Sequence, residues 1–167
     1  MMDANALIAA TAAMAVLMAL VAWYDLKQLR IPNWSVLAVL AVFIVTGLWG
    51  LPLDVFAWHL LHGVIVLVLG FLLYTFVAGH IGGGDIKLTA ALTPFIAGSD
   101  LGFIALVYAL LAIVGLMLLR LVRAIRRDLV TGWKALDQKR VFPAGLLLGG
   151  TIMIYFVKQL AEIAYVA

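Results

Sequence analysis

Apolar residues fall in long unbroken runs separated by short polar joints, with no polar stripe recurring every third or fourth position. Runs of that kind predict helices that are apolar on every side and have no water-facing surface. Six stretches qualify: residues 5–24, 33–50, 55–78, 84–98, 101–119 and 143–164. Crossing a bilayer takes about 20 residues of helix. The fourth stretch is the shortest, contains Pro94 and opens at three glycines. It reads as a partial span whose first turn has to be covered by neighbouring helices, because irregular backbone is tolerated at membrane depth only when protein buries it. The joints at Gly50-Leu51-Pro52 and Gly98-Ser99-Asp100 are short, so consecutive spans should be antiparallel neighbours. No internal repeat and no low-complexity tract is present. The expected architecture is all-α: one polytopic membrane domain over residues 1–167, with about six transmembrane helices.

Composition agrees with the pattern. Hydrophobic residues make up 67% of the chain and charged residues 11%, against roughly 45–50% and 25% in soluble domains. A water-soluble core of 167 residues could not hide so much apolar side chain. The first run has no basic residue before it, Asp3 being its only preceding charge, and it runs directly into Asp25. It is therefore expected to be a retained helix and not a cleaved signal segment. The absence of cysteine excludes a disulfide framework, a thiolate metal site and a cysteine nucleophile.

Charge placement orients the helices. Lys27 and Arg30 follow the first run and Lys87 follows the third. Arg120, Arg123, Arg126, Arg127, Lys134, Lys139 and Arg140 follow the fifth. Lys158 alone, of eleven Lys and Arg residues, falls on the other side, where the joints carry Asp54 and Asp100. The positive-inside bias puts the basic side in the cytoplasm and both termini outside it. The net charge of +3 thus reflects topology, and no nucleic-acid partner is implied. Between residues 120 and 142, Leu121, Ile125, Leu129, Trp133 and Leu136 recur at helical spacing among the arginines. They predict an amphipathic cytoplasmic helix lying on anionic lipid headgroups, or a docking surface. Gly132 interrupts that face.

Two carboxylates then need explaining. Asp25 closes the first run, and Asp85 follows Gly82-Gly83-Gly84 at the start of the fourth, on the same side and at the same depth. Acidic groups near hydrocarbon are costly and usually mark function. Either one alone could be a flanking interfacial charge, as Asp54 and Asp100 are expected to be. Together they match what peptide hydrolysis needs: an ionised carboxylate to take a proton from water and a protonated one to donate to the substrate. Two carboxyls a few ångström apart meet that need by sharing one proton. The glycines either let a substrate backbone approach or simply form a turn and allow close helix packing. Lys87 and Lys27 either tune the carboxylates or snorkel to headgroups. His59 and His62 lack a third metal ligand, so no metal is expected, and they read as interfacial groups beside Trp58. His80, near Asp85 in sequence, either affects that carboxyl's proton or is an interface residue.

Three stretches resemble the prepilin peptidases, the GxGD class of membrane aspartic peptidases. Asp25 with the following Ile31-Pro32-Asn33 is similar to that family's first aspartate and its I-P-N loop. Gly82-Gly83-Gly84-Asp85-Ile86-Lys87 resembles its G-x-G-D-x-K. Pro143-Ala144-Gly145 resembles its late proline–glycine motif, with alanine where an aromatic is common. The resemblance implies that Asp25 and Asp85 are catalytic, that Gly82, Gly83, Gly84, Lys87, Pro32 and Asn33 shape the site or bind substrate, and that no cofactor is needed. It implies cleavage of a short leader from pilin-like precursors at the cytoplasmic face of the plasma (inner) membrane. The cysteine-containing segment of larger, methylating members is missing here, so methyl transfer is not expected. Two other classes would use the same residues: a small proton-coupled transporter with the aspartates as proton carriers, and a non-catalytic assembly factor.

Overall fold

A computed structural model describes residues 2–77, 82–125, 132–138 and 142–166, and these contain no strand. His80, Arg126, Arg127, Leu129, Lys139 and Arg140 lie outside the described residues. The helices are α1 (Ala4–Gln28), α2 (Asn33–Gly50), α3 (Leu53–Val77), α4 (Gly83–Leu92), α5 (Leu101–Ile125), α6 (Lys134–Asp137) and α7 (Ala144–Val166). Five of them, α1, α2, α3, α5 and α7, are long and apolar enough to cross a membrane. The fold is that of an all-α polytopic membrane protein.

The fourth apolar stretch is the exception. α4 has ten residues, so it is about 15 Å long, half the thickness of a hydrocarbon core. It tightens into a 3₁₀ turn at Thr93–Phe95, where Pro94 cannot extend an α-helix. This short element is covered by α2, α3 and α7, as a partial span requires. Glycines on α3 permit the close approach: a Cβ at Gly70 would lie 2.5 Å from Ile86 Cγ2, and one at Gly63 would lie 2.9 Å from Pro94 Cγ. Water cannot drive helices together in lipid, so contacts of this kind, with interhelical hydrogen bonds, hold the bundle. Phe43 of α2 stacks on Phe56 of α3 and meets Phe95 edge-on, and Phe95 meets Phe156 of α7 in the same way. His59 bonds the Pro94 carbonyl through Nδ1 at 2.7 Å.

Lys158, the basic residue on the less basic side, has counter-ions. Its Nζ lies 2.9 Å from Asp100 Oδ1 and 2.8 Å from Glu162 Oε1. Asp100 also accepts from the Tyr155 hydroxyl and the Gln159 amide, each at 3.0 Å. The expectation that Asp100 is a mere flanking charge is therefore corrected: it ties the start of α5 to α7.

The amphipathic segment also differs from expectation. α5 continues to Ile125, so Leu121 and Ile125 belong to a membrane helix. Gly132 adopts φ +73° and Trp133 is extended, which separates the four-residue α6 from anything before it. One continuous surface helix over 120–142 does not form. α6 instead packs on α1 and α5, with Ala135 buried and its carbonyl accepting from Arg123.

Candidate active site

Asp25 lies in the last turn of α1, and its side chain is buried, with 4% of the residue exposed. The helix ends at Leu29, whose left-handed backbone (φ 54°) returns its N–H to the Asp25 carbonyl at 2.8 Å. A non-glycine residue there costs about 1 kcal/mol or more. The turn brings Ile31 back beside the carboxyl. Pro32, its φ fixed by the ring, caps α2, and Asn33 is that helix's first residue.

The carboxyl of Asp25 accepts the Gly145 N–H at 2.6 Å. Gly145 is the second residue of α7, where backbone donors have no partner within the helix and the helix dipole favours negative charge. A Cβ on Gly145 would sit 2.9 Å from Asp25 Oδ2 and 3.2 Å from Ile31 Cδ1. Only glycine lets the start of α7 come this close.

Asp85 occupies the third position of α4, after the N-cap Gly82. From there its carboxyl folds back over Gly82, in the manner of a capping box. A Cβ on Gly82 would lie 2.6 Å from Asp85 Oδ2. Gly84 packs on Ile31, with 3.2 Å left for a Cβ, so Ile31 is wedged between the starts of α4 and α7. Lys87 Nζ donates to Asn33 Oδ1 at 3.2 Å and ties the two motifs together. Gly83 differs from its neighbours: a Cβ there would meet nothing within 4 Å.

The helices carrying the two aspartates share α2 and α7 as packing partners. Between them lies a cavity of about 940 Å³ lined by both carboxyls. Gly82, Gly83, Gly84, Lys87 and Asn33 also line it, with Arg30, Thr89, Tyr108 and Phe142. Pro32 lines an adjoining cavity of about 320 Å³, with Tyr24, Gln28 and Arg30. Among the described residues no three His, Asp or Glu side chains gather as a metal site.

The sequence profile of the type IV leader peptidase family matches residues 12–120. The chain belongs to the type IV leader peptidase family. The matched region includes both aspartates and stops before α7, the helix that donates to Asp25. No curated protein and no solved structure matched the chain.

Two features of the site were not singled out as site residues from the sequence. Gly145 was noted only within the late motif, and its place against Asp25 depends on a contact between residues 120 positions apart. Tyr108 had a signal that could have exposed it. It is the only hydroxyl, amide or charged side chain between Leu101 and Leu119.

Proposed function

We propose that this leader peptidase is an intramembrane aspartic endopeptidase with Asp25 and Asp85 as its catalytic pair. The observation that carries the reading is the single cavity lined by both carboxyls at the basic end of the bundle. Two carboxyls in one low-dielectric cavity resist ionising together and hold one proton between them. The ionised member takes a proton from water as the water oxygen attacks the scissile carbonyl carbon. The protonated member gives its proton to the carbonyl oxygen. When the tetrahedral intermediate collapses, the C–N bond breaks and the leaving nitrogen takes a proton from the pair.

The substrate in this reading is a pilin-like precursor. Its apolar helix lies in the bilayer, and its leader junction is drawn out at the aspartates. The positive-inside bias of Lys27, Arg30, Lys87, Arg120 and Arg123 supports a cavity that opens at the cytoplasmic face of the plasma membrane, with these residues toward anionic lipid headgroups.

Purified protein in detergent, mixed with a prepilin, should yield a product shortened by the leader. Asp25→Asn and Asp85→Asn should each abolish that product while the protein stays folded by circular dichroism. Normal cutting by both variants refutes the mechanism. Proton flux in vesicles that depends on the aspartates, without cleavage, supports a transporter instead.

A further inference from the structure

Tyr108 is a lone hydroxyl in an otherwise apolar stretch of α5. A polar group at that depth is costly to leave without a partner. It does not face lipid alone: it lines the cavity that holds both aspartates. No described residue hydrogen-bonds to it. Most of the other polar side chains of the wall are committed. Thr89 donates to the Asp85 carbonyl, Lys87 and Asn33 hold each other, and Asp25 holds the Gly145 amide. Arg30 stands on the joint after α1, away from the hydrocarbon interior.

The position of Tyr108 is equally specific. α3 and α5 are the two least covered spans, with 6% of each buried, against 33% for α1 and 39% for α7. α3 packs on α4 and its 3₁₀ turn, and α5 packs mainly on α7; α3 and α5 share no extensive packing among the described residues. Yet Val66 and Gly70 of α3 line the same cavity as Tyr108 of α5. The cavity therefore reaches the gap between them, where the short α4 lies behind.

A helical precursor must open before it can be cut, because a peptide inside a helix is not presented to the carboxyls. Opening frees main-chain N–H and C=O groups at membrane depth, and each needs a partner. A phenol can both donate and accept. Taking the peptidase reading above as its basis, we propose that Tyr108 is a substrate-binding residue, its hydroxyl hydrogen-bonding the opened main chain of the precursor where it enters the cavity sideways between α3 and α5.

The test uses full-length protein in nanodiscs and a fluorescent pilin-like precursor. Binding is measured on the Asp25→Asn background, so that no turnover is needed. Adding Tyr108→Phe should weaken Kd about three- to tenfold, the range for one neutral hydrogen bond. In the active enzyme the same change should raise KM with kcat held, since the bond is made in ground and transition states alike. Tyr74→Phe, on α3 outside the cavity lining, should change neither. The chain has no cysteine, so Tyr108→Cys offers a second measurement. It should form a disulfide with a cysteine in the precursor's apolar helix, whereas Val45→Cys, on the exposed side of α2, should not. Unchanged Kd and KM in Tyr108→Phe overturn the proposal, as does crosslinking at Val45→Cys equal to that at Tyr108→Cys. A precursor that binds Tyr108-dependently but is never cut by the wild type would sink the peptidase reading alone. A precursor that does not bind at all would sink the Tyr108 proposal.

Discussion

Replacing Gly145 by alanine presses directly on the Asp25 carboxyl. The new Cβ would stand 2.9 Å from Oδ2, where ordinary contact begins near 3.4 Å. About half an ångström must therefore be found. Ile31 cannot yield easily, because Gly84 and the start of α4 lie on its other side. The carboxyl or the start of α7 has to move, and either motion stretches the 2.6 Å bond from the Gly145 amide. A hydrogen bond to a charged group contributes about 1.5–3 kcal/mol, and misplacing a reacting group by about 1 Å costs on the order of 100-fold. A 10- to 100-fold fall in kcat/KM is expected on those figures. Stability should change little, since alanine gains up to about 1 kcal/mol over glycine as a helix former. Gly83→Ala is the matched control, with open space around its Cβ, and should stay within about twofold of wild type. The assay is precursor cleavage in detergent, with thermal unfolding of each variant alongside. Wild-type turnover by Gly145→Ala, or an equal loss in Gly83→Ala, would refute the reasoning.

Lys87→Ala and Asn33→Ala should each lower kcat/KM about three- to tenfold, and the double variant should lose little more than the worse single one, because the two act through one bond. A double-mutant cycle on cleavage rates reads this directly, and full additivity would argue against it. Asp100→Ala strips partners from Tyr155, Lys158 and Gln159 at once. It should cost about 2–3 kcal/mol of stability, seen as a lower Tm in detergent. Cleavage per folded molecule should persist, since that cluster sits at the far end from the aspartates.

The long helices were legible because length and apolarity alone define a span, and α1, α2, α3, α5 and α7 announce themselves. α4 was legible as an anomaly: Pro94 and the glycines mark a stretch that cannot span unaided. The segment after Arg120 was misread as one surface helix because spacing reports which residues share a face only if the helix continues, and Gly132 breaks it. At the site, the motifs located Asp25 and Asp85, but not the partners that hold them. The contact of Ile31 with Gly84 and the Gly145 amide on Asp25 join parts of the chain far apart in sequence, and no periodicity encodes such pairings. Gly82, Gly83 and Gly84 looked equivalent as letters; the neighbouring side chains crowd two of them and leave the third free.

The donor to Asp25 belongs to α7, which is synthesised after every other helix described above. Both aspartates are synthesised well before residue 145, and α4, short and carrying Asp85 and Lys87, has too little apolar length to partition into the bilayer unaided. It must wait for neighbours, α7 among them, to dock beside it. A nascent chain therefore holds its two acids without the scaffold that aims them until α7 has docked.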